Sequence, residues 1–350
     1  MLHRIKTTFL VALFIRVLPT TSSFAVGGGP PASVTKGGPP PGGPPGATGP
    51  PGAGGPPGTA GTNAPGGLET FFEKVWPILY AFDEEGKQSG VRDSSKNLRV
   101  LWTRALLNNL EKIEDPFAYD FLPDFTRNVV GMLAARTFWS GPLGKNAIDK
   151  LDWIVDRTNF IDTQLELFLG ETKEQKSRRQ VILLGAGYDT RSLRFQRPGL
   201  KFFEVDLPDI SRAKESMMTK YSSTSTSMIT PAYVGFDLNS ICTDKKSLIE
   251  ELVNKYGFSL EKNVPTMIIC EAVLFYLIPD AAQGLMKEVF DLPNAERYCM
   301  TDNLAKLGVA PGPPVPTPRE KCESWLDKEG KELIDHSAIW GGAIHFVAAK

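Results

Sequence analysis

The sequence predicts an α/β protein built on a mostly parallel sheet with helices on both faces. Three observations predict it. A short apolar run, Gln180-Val181-Ile182-Leu183-Leu184, stops at Gly185-Ala186-Gly187, the pattern of a buried strand ending in a tight turn. From Gln180 onward, strand-like runs alternate with stretches of helical spacing, which is the rhythm of a parallel sheet. Successive strand-like runs also end in acids, Asp206, Asp237 and Glu271, and open α/β sheets bind their ligands at those ends.

The 350 residues do not share one composition. Residues 1–68 contain no Asp or Glu, and Glu69 is the first acid. Arg4 and Lys6 precede an apolar run, Phe9 to Ile15, and Ser22-Ser23-Phe24-Ala25 follows. A short apolar run with basic residues before it reads as a signal or transit peptide over 1–26, too short to span a bilayer. The expected destination is the secretory pathway, either secreted or in a complex plastid, with the cytoplasm as the alternative should the segment not be a signal. Residues 27–67 are almost entirely Gly, Pro, Ala and Thr, which cannot bury enough apolar surface to offset ordering entropy, and are expected to be a disordered linker. Glycine falls at every third position from 43 to 61, in collagen register. A flexible linker with collagen-like spacing is the expected reading, since nothing adjacent would trimerise the chain. Residues 68–350 suit one large α/β domain.

The formal net charge is −1, which gives no argument for a nucleic-acid partner. The cysteines Cys242, Cys270, Cys299 and Cys322 form no C-x-x-C pair, and His3, His336 and His345 show no metal-ligand spacing, so buried free thiols and no metal site are expected.

In chain order, helical spacing covers 68–81 and 98–111. In the second, Leu98, Leu101, Trp102, Ala105, Leu106 and Leu110 form one apolar face, and Asp115-Pro116 breaks the pattern. Further helices are expected at 128–138 and at 146–169, the latter with Ile148, Leu151, Ile154 and Val155 on one side. Lying before the first strong strand, these helices are expected to form an N-terminal cap over the ligand edge. Strands are expected at 181–184, 201–205, 232–236, 266–270, 297–301, 333–335 and 343–348, with helices at 208–220, 244–256 and 279–290 between them. A Pro-rich loop between Leu304 and Arg319 is long enough to be a substrate-side excursion.

The glycine turn first suggests a dinucleotide fingerprint, G-x-G-x-x-G, but Thr190 occupies the third glycine slot, where close packing under a pyrophosphate requires glycine. Charge then separates the ligands. Three carboxylates at strand ends would repel a pyrophosphate. S-adenosylmethionine carries a sulfonium, an ammonium and a ribose diol, and its single anion is the carboxylate of its methionine part. Asp206 stands where a β2 acid accepts hydrogen bonds from ribose hydroxyls. Arg157, on the helix before the first strand, is placed to offer a fork of donors to the carboxylate.

One ordered set of residues carries a family resemblance. It comprises Arg157-x4-Asp162, then Gln180 to Gly187 with Asp189-Thr190-Arg191, then Phe203-Glu204-Val205-Asp206-Leu207-Pro208 with Lys214, and then Glu271-Ala272-Val273-Leu274-x-Tyr276-Leu277. The set resembles the leucine carboxyl methyltransferase family of S-adenosylmethionine-dependent O-methyltransferases, over roughly residues 92–350. Arg104-Ala105 and Asp115-Pro116-Phe117-Ala118 resemble the family's N-terminal helices. The resemblance implies a class I methyltransferase, Rossmann-like fold with a seven-stranded sheet, and S-adenosyl-L-methionine as cofactor. It implies that Arg157 holds the cofactor's carboxylate and that Gly185, with Ala186 and Gly187, lets backbone approach the methionine part. Asp206 would bind ribose, Asp237 and Leu238 would flank adenine, Glu271 would lie near the sulfonium and amino group, and Arg104 would make a basic cofactor contact. Tyr276 would face the acceptor carboxylate together with Arg157; a core ring on the helix after the fourth strand is the equal alternative.

Transfer to a carboxylate needs no general base, whereas transfer to a hydroxyl does. No histidine lies near the motif strands, which favours an acceptor that is already ionised, on a small molecule or a protein C-terminus. The Asp189-Thr190-Arg191 ending resembles the family's broader, mainly bacterial branch, whose acceptors are largely small molecules. The competing readings are an NAD-type oxidoreductase and a non-catalytic protein that binds S-adenosylmethionine.

Overall fold

A computed structural model of the chain describes residues 95–122, 127, 151–170, 178–222, 229–309 and 317–350. The expected presequence, the Gly/Pro-rich linker, the helices expected at 68–81 and 128–138, the start of the helix expected from 146 and the Pro-rich run 311–316 lie outside the described residues.

All seven expected strands are present: β1 (Arg179–Leu184), β2 (Leu200–Asp206), β3 (Ala232–Gly235), β4 (Thr266–Glu271), β5 (Ala295–Asp302), β6 (Leu333–Ile339) and β7 (Ile344–Ala349). They form one sheet in the order β3-β2-β1-β4-β5-β7-β6. Pairings among β1 to β5 are parallel, and β7 is antiparallel to both β5 and β6. This is the class I methyltransferase arrangement. Its strand order reverses between β1 and β4, so the connections leaving their carboxyl ends diverge and open a crevice, the topological switch point of a doubly wound sheet.

The strands read as continuous apolar runs because both faces of the sheet are covered, and every residue of β1 is buried. Alternate side chains divide between two cores. Ile182, Phe203, Ile268, Tyr298 and Val347 pack with Leu252 of α7 (Leu248–Tyr256), Leu285 and Val289 of α8 (Pro279–Phe290), and Leu326 of α9 (Pro318–Lys328). Val181, Leu183, Phe202, Met267 and Ile269 pack with Ile161, Leu165 and Phe168 of α3 (Asp152–Gly170). Each such side chain contributes about 1.5–3 kcal/mol of burial free energy.

The helix expected at 98–111 appears as α1 (Ser95–Asn109), and the Asp115-Pro116 break opens a second short helix, α2 (Pro116–Asp120). The first is not one-faced as expected: residues 101–107 are buried all round, Thr103 and Arg104 included, while Leu110 lies beyond the helix and only half-buried. Asp115 caps α2 by accepting the Ala118 N–H, and Pro116 takes the first helical position, where a missing donor costs nothing. On α3, Val155 is half-buried, and the buried face instead runs through Ile154, Arg157, Thr158, Ile161 and Gln164. The helix expected at 244–256 begins later, as α7 from Leu248, and a separate short helix, α6 (Ser240–Thr243), precedes the expected start. Lys245 adopts a φ of 55°, and the Ser247 side chain accepts the Glu250 N–H as a fresh N-cap. The remaining helices described are α4 (Arg191–Arg194) and α5 (Pro208–Ser222). β6 runs four residues past its expected end, because its edge pairing with β7 extends to Ile339.

Candidate active site at the carboxyl ends of the strands

The turn after β1 and the end of β2 form one unit. Gly187 has a φ of 46°, and its N–H donates to Asp206 Oδ2 at 2.7 Å, while the Leu207 N–H donates to Oδ1 at 2.7 Å. Burial raises the Asp206 pKa, and the two backbone donors oppose that rise. Each carboxylate oxygen keeps a further lone pair, enough to accept a vicinal diol. Gly185 has a φ of 61°, but a Cβ there would overlap Val273 Cγ2. Its glycine is therefore demanded by the loop after β4 as well as by its φ, and the expectation of close ligand approach is not what the packing requires. Ala186 directs its side chain into the core facing α3, and its N–H donates to the Val205 carbonyl at 2.9 Å.

Asp237 does not close β3, as the sequence suggested. The strand ends at Gly235, and the exposed Asp237 accepts the Asn239 N–H at 2.9 Å. Leu238 is a core residue, so only its backbone is offered to a ligand. Asn239 Oδ1 accepts the Ile278 N–H at 2.9 Å and ties this turn to the loop after β4.

Beside these acids stands a buried lattice of charges. Arg104 from α1, Arg157 from α3, and Arg191 and Arg194 from α4 interleave with Asp115, Asp162, Asp189 and Glu271. Arg191 is fully buried; it donates to Asp162 at 2.6 Å and to Glu271 at 2.5 Å, and also to Asp189. Arg104 Nε donates to Asp115 Oδ2 at 2.7 Å, and Thr190 Oγ1 donates to Asp115 Oδ1 at 2.6 Å. Burial acts against the Arg191 charge, yet Asp189, Glu271 and Asp162 outweigh it and raise the guanidinium pKa well above its ordinary value. Burial likewise opposes ionisation of Glu271, but Arg191 first and Arg157 second hold its pKa below the usual carboxylate range.

Arg157 is not placed as a free anion receptor. Its Nε lies 2.6 Å from Glu271 Oε1, its guanidinium stacks 4.9 Å from the Trp153 ring centroid, and burial lowers its pKa despite Glu271. Arg157 and Glu271, expected to serve separate groups of a ligand, form one ion pair. Two guanidinium nitrogens, Arg104 Nη2 and Arg191 Nη2, are buried without a hydrogen-bond partner among the described residues. A buried donor left unsatisfied costs about 1–3 kcal/mol, so these two nitrogens are a cost that the ion pairs of the lattice offset.

Tyr276 settles neither as a core ring nor on a helix. It sits on a single 3₁₀ turn (Leu274–Tyr276), is 55% exposed, and its ring lies 4.1 Å from that of Phe275. The loop carrying it is firmly held. Ala272 takes a φ of 56°, a strained value for a residue with a Cβ. Asp302 Oδ2 accepts the N–H groups of Val273 (2.5 Å) and Leu274 (2.8 Å), and Lys306 Nζ donates to the carbonyls of Phe275 (2.7 Å) and Leu277. Burial pushes the Asp302 pKa up to about 6 against those backbone donors. Sequence reasoning missed Asp302, although the rule that picked out Asp206 and Glu271, an acid ending an apolar strand, applies to it as well. Arg191 and Asp115 were visible only as motif letters, and their shared burial depends on segments far apart in the chain.

The class of molecule is thus a doubly wound α/β fold with an acid-rich crevice at its switch point. The sequence profile of the leucine carboxyl methyltransferase family matches residues 96–290, and the chain belongs to that family. A Mycobacteroides abscessus relative, provisionally named an S-adenosyl-L-methionine-dependent methyltransferase, is 27% identical over 182 residues, covering 51% of this chain and 53% of the relative. A Frankia alni relative with the same provisional name is 31% identical over 185 residues, covering 51% and 56%. The chain thus spans little more than half the length of these curated relatives. Among solved structures, the magnesium protoporphyrin IX methyltransferase of Synechocystis with bound SAH is 13% identical at a TM-score of 0.35, covering 55% of this chain and 82% of that one.

Proposed function

We propose that this protein transfers a methyl group from S-adenosylmethionine to an oxygen, and that the acceptor is a carboxylate. The observation that carries the reading is the charge pattern of the crevice. Asp206, Asp237 and Glu271 stand at or just past the carboxyl ends of β2, β3 and β4, and Glu271 is paired there with Arg157 and Arg191. That pattern fits a cationic nucleoside amino acid and opposes a pyrophosphate, which also disfavours an NAD-type reading.

Within this reading, Asp206 holds the ribose diol, and Asp237 with the Leu238 backbone flanks the adenine. Glu271 meets the ammonium, and Arg157, paired with Glu271 through its Nε, receives the carboxylate with its remaining donors. When bound, the cofactor supplies a methyl group made electrophilic by its sulfonium. Tyr276 and Arg157 orient the acceptor carboxylate, which is already ionised and needs no proton removed. Orientation of this kind supplies about 7–11 kcal/mol in favourable cases.

The test uses the full chain. Calorimetry with S-adenosylmethionine should show binding and with NAD none, and Asp206→Ala should weaken it by at least about tenfold. Labelled methyl groups should pass to members of a carboxylic-acid panel and not to alcohols. No binding, or unchanged binding in Asp206→Ala, overturns the cofactor reading. Transfer to alcohols alone overturns the carboxylate, and binding without transfer to any acceptor favours the non-catalytic reading. We also propose that residues 1–26 direct entry into the secretory pathway, which a reporter fused behind them tests.

A further inference from the structure

Cys322 and two of the three histidines, scattered in sequence, meet in space. Cys322 comes from α9, His336 from β6 and His345 from β7. His345 Nδ1 lies 3.1 Å from Cys322 Sγ and 3.2 Å from His336 Nε2, and the three atoms all lie within 4.8 Å of one another. Cys322 and His345 are buried and His336 is half-buried, so the group opens to solvent on one side only.

Hydrogen bonding alone cannot satisfy this arrangement. An imidazole nitrogen has either one proton or one lone pair, so His345 Nδ1 can serve only one of its two neighbours in any protonation state. A cation among the three takes a lone pair from each. Thiolate and imidazole together suit zinc and its first-row neighbours and not the hard cations magnesium or calcium. Zinc–sulfur and zinc–nitrogen bonds of about 2.3 and 2.0–2.1 Å place ligand atoms roughly 3.3–3.6 Å apart in a tetrahedron, a few tenths wider than the two close contacts here. Three protein ligands leave the fourth position to water on the His336 side.

We propose that Cys322, His336 and His345 bind one divalent transition-metal ion, zinc by its ligand set. The thiol proton leaves to solvent as the metal–sulfur bond forms. The ion would clamp α9 to the β6–β7 hairpin. His345 also pairs with Asp302 across the β5–β7 ladder, so the clamp lies one residue pair from the carboxylate that holds the Tyr276 loop.

The full chain, stripped with a chelator and confirmed folded by circular dichroism, is titrated with Co²⁺ alone and then with Zn²⁺. One Co²⁺ per chain, with a thiolate-to-cobalt charge-transfer band and intense tetrahedral visible bands that Zn²⁺ abolishes, is expected. Cys322→Ser should remove the charge-transfer band. His336→Gln, at a half-buried position, should weaken Zn²⁺ by at least about tenfold, the least that loss of even an outer partner costs. A folded wild-type chain without the cobalt bands, or a charge-transfer band retained in Cys322→Ser, overturns the proposal. Neither readout involves S-adenosylmethionine.

Discussion

Arg191 carries the largest electrostatic burden of any single residue in the site, a fully buried guanidinium facing three carboxylates. Removing it leaves Asp162, Asp189 and Glu271 buried without their principal counter-charge. Arg191→Met should destabilise the fold by about 3–5 kcal/mol, read from urea denaturation. The three carboxylates all have pKa values held below the ordinary range, against burial and chiefly by Arg191. Their stabilisation is therefore complete above that range and is lost as pH falls from it through the lowered folded values, so the wild type should unfold in acid with a steep pH slope that the variant lacks. Gly185→Ala meets both a positive φ and Val273, and should cost upward of about 1–3 kcal/mol in the same assay. Asp206→Ala should weaken S-adenosylmethionine by at least about tenfold, roughly the loss of one charged hydrogen bond, and should also lower stability, because the Gly187 N–H loses its acceptor.

The element that the proposed reading assigns to acceptor binding is the loop after β4. Its shape rests on one buried carboxyl, Asp302, whose pKa burial raises to about 6. A raised carboxyl pKa means that the folded state keeps the proton while the unfolded chain gives it up. This contribution is thus complete below about pH 4 and is lost as pH rises toward 6. A rise of that size in a carboxyl pKa corresponds to about 3 kcal/mol. From pH 4 to 7 the wild type should lose about this much more stability than Asp302→Asn, and the two curves should run parallel above that window. Parallel curves throughout would show that Asp302 has no raised pKa. At this scale the sequence was legible where apolar periodicity dominates. β1, β2 and β4 are short aliphatic runs, and α8 begins at Pro279 and ends at Phe290 as read. It was illegible where side chains reset the backbone. Ser247 and Glu288, which accept N–H groups at the start of α7, delay the expected helix to Leu248, and nothing in the local hydrophobic pattern records that cap.

Across the whole molecule, the crevice draws on α1, α3, α4 and the ends of β2 and β4, so a ligand filling it would join parts far apart in the chain. At 100 times its dissociation constant, S-adenosylmethionine should raise unfolding free energy by about 2.7 kcal/mol, visible as a thermal shift, and NAD at equal concentration should give none. Residues 185–191, 206 and 271 could be read as a site from sequence because a strand's end is marked locally by glycine or acid after an apolar run. That logic determined the parallel sheet and pointed to the family. It could not show that Arg157 is already paired with Glu271, that Arg104 and Arg191 share one buried lattice, or that Cys322, His336 and His345 converge. Those relations exist only once the sheet brings β4 beside β1 and folds β7 back against β5. Ion pairs and ligand sets depend on distance in space, and a one-dimensional pattern carries that distance only within a helix turn or a strand.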